Sequence, residues 1–178
     1  MLAREIDLRR DKKRAARLNA LALCIAGIMA VLAFVFSPPR VANPPGAVVQ
    51  MLSLAVGYVA YIFLHEGVHG VCIRLFCGER ASYGFNGMFA YAGKKDAYFT
   101  KRQYIVIALA PVAVWGVVLL WLQIALPGWF FPIYAVQVGN IGGAVGDFYV
   151  TALLLRMPQD TLCNDDGLSM RFYTRKAA

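Results

Sequence analysis

Residues 61–72 read YIFLHEGVHGVC and carry the pattern H-E-x-x-H on His65, Glu66 and His69. Positions i and i+4 of a helix lie about 40° apart around its axis, so both imidazoles project from one face. Two nitrogens so placed can hold one zinc ion at about 2.0–2.1 Å each, with room for a third ligand and a water. Glu66, next in the chain, can take a proton from that water and later deliver it to a leaving amine. The stretch therefore predicts a metal-dependent hydrolase. The alternative for the histidines is buried polar packing, in which a ring bonds a neighbouring carbonyl.

The surroundings favour the metal. The chain has 178 residues and only two histidines, and both are in this motif. They sit in an apolar run from Ala47 to Phe76, where ionisable groups are costly and usually functional. Composition points the same way: 60% of the residues are hydrophobic, 16% are charged, and the mean hydropathy is +0.56. A soluble domain carries about a quarter charged residues. Four stretches, roughly 18–36, 47–76, 103–126 and 132–155, are long enough to cross a bilayer, which takes about 20 residues. The expectation is an all-α polytopic membrane protein of four transmembrane helices forming one domain over 18–155.

The net charge of +8 is distributed as membrane topology distributes it. Of 18 Lys and Arg, seven precede Leu18, six fall between Arg74 and Arg102, and four follow Leu155. Only Arg40 lies in the loop between the first two spans, and none in the PGWFFP loop between the last two. The positive-inside rule then puts both termini and the 78–101 segment in the cytoplasm. Basic flanks that attract anionic headgroups explain the pI without a nucleic-acid partner. Residues 1–17 read as a basic cytoplasmic N-terminus leading into an uncleaved anchor helix, because no A-x-A-like site closes the apolar run. SPPRVANPPG (37–46) reads as a proline-rich outer turn. Cys24, Cys72, Cys77 and Cys163 show no C-x-x-C pair and predict reduced thiols.

Between the second and third spans, Ala81–Phe85 and Met88–Ala92 flank Asn86-Gly87, which predicts a short β-hairpin. Its functional reading is an edge strand able to pair with an extended substrate, and its bland reading is an amphipathic loop at the interface. Ala110-Pro111 predicts a kink in the third span. Trp121, Trp129, Phe130 and Phe131 predict an aromatic belt at the outer boundary. The fourth span carries Gly139, Gly142, Gly143, Ala144 and Gly146, two overlapping G-x-x-x-G patterns that predict close helix packing. The tail 156–178 reads as polar and cytoplasmic, with Asn164-Asp165-Asp166-Gly167 as a turn.

The chain has ten acidic residues, and within the apolar spans there are only Glu66 and Asp147. Counted at 1.5 Å per residue from the outer ends, His65 lies about 27 Å deep and Asp147 about 22 Å. Asp147 is therefore the expected third zinc ligand, the alternative being a protonated or helix-bonded carboxyl. Asn140, seven residues earlier on the same face, could donate to a substrate carbonyl or an oxyanion, or bond a neighbouring helix. Cys72 could touch a metal, but a packed thiol is the simpler reading.

HEGVHG on an apolar helix, the aromatic hairpin segment, ALAP (108–111) and N-x6-D (Asn140 to Asp147) together resemble a family of small bacterial membrane zincin peptidases. That family is related to the site-2 intramembrane metalloproteases. The resemblance covers roughly residues 47–175. It implies His65, His69 and Asp147 as zinc ligands, Glu66 as base and Asn140 as a substrate-positioning group. Better-studied site-2 proteases set the aspartate in L-D-G or P-D-G, whereas here it stands in Gly146-Asp147-Phe148.

The expected function is an inner-membrane zinc endopeptidase cutting membrane-embedded or signal-like segments near the cytoplasmic side of the bilayer. A catalytically silent zinc-binding scaffold and a metal-ion sensor or carrier are the alternatives.

Overall fold

The structure is a computed structural model, and it describes residues 1–7, 10–36, 45–85, 90–167 and 169–175. Among the described residues, four helical segments are long and apolar enough to cross a membrane: Lys12–Val35, Ala47–Cys77, Lys101–Ala125 and Pro127–Leu155. In chain order the elements are β1 (Leu2–Ile6), α1 (Lys12–Phe36), α2 (Ala47–Cys77), β2 (Ser82–Phe85) and β3 (Ala90–Thr100). They continue with α3 (Lys101–Ala125), a 3-10 turn (Pro127–Trp129), α4 (Phe130–Gly143), α5 (Val145–Leu155), β4 (Leu162–Asp165) and β5 (Met170–Tyr173).

Local chemistry sets the helix ends that matter. α2 stops at Gly78, which takes φ 78°, a left-handed conformation without cost for glycine, and its N–H bonds the Arg74 carbonyl at 2.8 Å. α3 starts in a capping box: the Thr100 side chain accepts from the Gln103 N–H, and Gln103 accepts from the Thr100 N–H at 2.9 Å. Lys101 is buried, and its ammonium donates to the carbonyls of Met157 at 2.8 Å and Leu155 at 3.4 Å. It thereby satisfies carbonyls at the end of α5 and ties that end to the start of α3.

The chain is mostly helical, but it is not all-α. Among the described residues, five strands form one antiparallel sheet in the order β1-β5-β4-β3-β2. β2 and β3 are the expected hairpin, paired from Ser82↔Gly93 to Phe85↔Ala90; the Asn86-Gly87 turn itself lies outside the described residues. The correction concerns the two ends. The tail at 156–178 supplies β4 and β5, and the basic N-terminus 1–17 supplies β1, which pairs along β5 (Glu5↔Arg171, Ile6↔Met170). The reason is packing: Ile6, Cys163, Met170 and Phe172 turn inward on Phe99, Ile73 and Leu154 to form the larger core. Each of these strands, four or five residues long, is too short to announce itself and gains its stability only from distant partners.

The fourth apolar stretch is likewise not one helix. It breaks at Ala144, so that Asp147 falls in the first turn of a new helix, α5. The small residues do less packing than the pattern suggests. A side chain at Gly139 would collide with Tyr58 of α2, and one at Gly142 would meet the Ala22 carbonyl of α1 at 3.4 Å. Gly143 and Gly146 face no neighbour within 4 Å. The four cysteines are free, with Cys72 and Cys163 packed into the larger core.

Candidate metal centre

α2 carries two imidazoles one turn apart on its inward face. His65 and His69 are both buried, with ring centroids 5.1 Å apart. Asp147 reaches them from α5: its Oδ2 lies 3.6 Å from His65 Nε2 and its Oδ1 3.7 Å from His69 Nε2. The break before α5 gives this carboxylate a first-turn position, where the unpaired amides of a helix start favour negative charge.

The far nitrogen of each ring is already committed. His69 Nδ1 lies 2.9 Å from the Ile107 carbonyl on α3. A carbonyl can only accept, so Nδ1 carries the hydrogen and Nε2 keeps its lone pair. His65 Nδ1 lies 2.7 Å from the Tyr61 hydroxyl, which in turn donates to Asn140 Oδ1 at 2.9 Å. The hydroxyl has one hydrogen and spends it on Asn140, so His65 Nδ1 donates and its Nε2 is likewise free. Asn140 is fully buried and donates through Nδ2 to the Val112 carbonyl at 3.2 Å.

Two lone-pair nitrogens and a carboxylate oxygen, all within 4.8 Å of one another, converge on a single point. A tetrahedral zinc site with bonds of about 2.0–2.1 Å has ligand atoms roughly 3.3–3.5 Å apart, so the observed carboxylate–imidazole separations need only a small contraction. The donors, their tautomers and their outer partners therefore fit zinc. Among the described residues, no cysteine joins the cluster.

Glu66 sits beside His65, partly exposed, with the Ala92 main chain of β3 within hydrogen-bonding reach of its carboxylate. β2 approaches the same helix, where the Tyr83 hydroxyl occupies the space a side chain at Gly70 would need. The second glycine of HEGVHG thus admits the sheet beside His69. From the C-terminal hairpin, Asp165 accepts from the Tyr104 hydroxyl and, at 2.8 Å, from the Gly167 N–H. Burial pushes its carboxyl up to about 6.

His65, His69 and Asp147 thus meet, with Glu66 alongside. Asn140, offered by the sequence as a substrate donor or a helix-bonding group, makes its hydrogen bonds to Tyr61 and Val112. Two contributors escaped the sequence reading. Tyr61 stands four residues before His65 on the same helical face, a spacing that signals contact. The Ile107 carbonyl gave no such signal, because it reaches His69 from a distant segment.

The chain is 26% identical to an uncharacterized 24.7 kDa protein in gap 5'region of Pyrococcus woesei, over 66% of this chain and 53% of that one. It spans about half the length of that relative. No solved structure matches it. The family described as "Putative zincin peptidase" matches residues 58–162, a segment that runs from α2 to the start of β4 and includes every donor of the cluster. The chain belongs to that family, a zinc-dependent one.

Proposed function

We propose that this protein is an intramembrane zinc endopeptidase that hydrolyses peptide bonds of membrane-embedded or signal-like segments near the cytoplasmic face. The observation that carries the reading is the meeting of His65, His69 and Asp147 on helices apolar and long enough to span a bilayer. Zinc held there supplies a Lewis acid that polarises a carbonyl and makes water nucleophilic near neutral pH.

The chain's own residues do the rest. Glu66 accepts the proton of the attacking water and delivers it to the departing amine. Tyr61 and the Ile107 carbonyl keep both imidazoles in the tautomer that presents Nε2. Asn140 holds Tyr61 in turn, which makes it a positioning group.

A helical substrate has its carbonyls tied up in hydrogen bonds and must be extended before it can be cut. β2 is a terminal strand of the sheet, paired to β3 on one side. Its outer edge, beside His69 through the Tyr83–Gly70 contact, suits an added substrate strand. The pairing of β1 with β5 brings both chain ends to the sheet that abuts α2 and α3. Two ends paired in one sheet lie on one side of the helices, and the Lys and Arg clustered there support reading that side as the cytoplasmic one.

The test is a cleavage assay on a transmembrane substrate in vesicles with Glu66→Gln protein. That variant is expected to hold zinc as the wild type does while turnover falls roughly 10²–10⁴-fold. Undiminished cleavage would remove the mechanism. Metal flux across the vesicle that survives the substitution would point to a carrier, and zinc binding with neither flux nor any cleavage by the unsubstituted protein to a scaffold.

A further inference from the structure

Pro111 lies inside α3, fully buried. In an uninterrupted helix the N–H of residue 111 would bond the carbonyl of residue 107. Proline has no N–H, and its ring also crowds that carbonyl, so the group four residues back is left without its helical partner. Such a carbonyl, buried as Ile107 is, needs another donor. The donor here is the His69 imidazole, 2.9 Å away through Nδ1. One residue type on α3 thus answers two requirements at once: the orphaned carbonyl gains a partner, and His69 gains a fixed tautomer.

We propose that Pro111 is a positioning residue of the metal centre, acting through the Ile107 carbonyl that its missing amide leaves to His69. The inference rests on His69 being a zinc ligand. It explains why a helix-breaking residue stands in the interior of an otherwise regular apolar helix at the level of the site. Tyr61 and Asn140 orient His65 with side chains; Pro111 orients His69 by altering the main chain. An alanine at 111 restores the amide, removes the crowding and turns the Ile107 carbonyl back along the helix axis.

The experiment uses the full-length protein in detergent, with zinc as the probe. Zinc affinity by chelator competition is expected to fall about 10–100-fold in Pro111→Ala, the range typical for loss of an outer partner of a metal-bound histidine. Placing lactic acid, the α-hydroxy counterpart of alanine, at position 111 gives a backbone ester that lacks the N–H as proline does. That variant is expected to recover wild-type affinity. Because the chain has only two histidines, nitrogen-15 labelling of histidine shows just two rings. His69 should show a hydrogen-bonded Nδ1–H in the wild type and the ester variant, and a weakened one in Pro111→Ala.

Unchanged zinc affinity and ring nitrogens in Pro111→Ala would overturn the proposal. So would an ester variant as weak as the alanine one, since the ring or the kink would then be what matters. Should the alanine variant not fold, the ester variant decides alone: wild-type affinity supports the role and weakened affinity refutes it. His69→Ala is the separate control. If it leaves zinc binding intact, the ligand assignment fails, whereas the nitrogen shifts still read the Pro111 effect on the hydrogen bond directly.

Discussion

Along the helices, the donor cluster and its outer partners are placed by regular local spacing: Tyr61, His65 and His69 are each four apart on α2, and Asn140 and Asp147 follow one another across a single break. Across the sheet, residues that touch come from the two ends and the middle of the chain, as Glu5 opposite Arg171 and Phe99 opposite Cys163 do. The helices carry the donor set that could hold zinc. The sheet brings an edge strand beside it and seals the larger core beneath it. Damage to the first region should therefore appear as lost metal, and damage to the second as lost stability with the donor set still intact.

The largest effect should come from the helical donors. Asp147→Ala removes the proposed third ligand and is expected to weaken zinc binding well beyond the roughly 10–100-fold typical of an outer partner, as read by chelator competition. If Asp147→Ala binds zinc like the wild type, the two regions cannot be divided as described.

On the sheet side, Phe172 is fully buried in the core shared by β5, β3 and the helices. Phe172→Ala should cost about 3–5 kcal/mol of stability through the cavity it leaves. The folded fraction should still bind zinc at wild-type affinity, and denaturation monitored by circular dichroism alongside metal titration checks both halves of that statement. Strongly impaired zinc binding in the folded variant would mean that the sheet shapes the donors directly.

Tyr61→Phe is a finer probe of the helical region. It removes one hydroxyl and leaves His65 Nδ1 and Asn140 Oδ1 without each other's intermediary. A fall in zinc affinity of about 10–100-fold is expected, with little change in helix content.

A separate probe, read by pH in place of metal, is linkage at Asp165 of β4. Burial raises its carboxyl from 3.8 in the unfolded chain to about 6 in the fold, so the native state binds the proton more tightly. Its contribution to stability is therefore fully present below about pH 4 and is lost as pH rises through about 6. Relative to Asp165→Asn, the wild type should lose stability over that window, which thermal melts at stepped pH will show. A gain instead would mean that the Tyr104 and Gly167 hydrogen bonds outweigh desolvation.

The same contrast explains what could be read from the chain alone. The four apolar segments, the H-E-x-x-H face and the isolated carboxylate at 147 are local signals: length, spacing, and a charge where charge is costly. The β2–β3 hairpin was legible because Asn86-Gly87 lies between two aromatic runs. β1, β4 and β5 were not, since four or five residues with one or two inward side chains look the same as a polar tail until their partners are known. Lys101 shows the limit from another side. It counted as one more cytoplasmic positive charge, yet its ammonium is buried against the carbonyls that end α5. Pro111 was visible as a kink, but the acceptor it sets free depends on α2 lying alongside.

Zinc K-edge X-ray absorption on the metal-loaded protein, compared with Asp147→Asn, bears most directly on three side chains from two distant helices holding one ion. The wild-type spectrum should show two imidazoles and light-atom ligands at about 2.0–2.2 Å, with the oxygen shell altered in the variant. A sulfur shell at about 2.3 Å, or a spectrum indifferent to Asp147, would contradict the His65–His69–Asp147 centre.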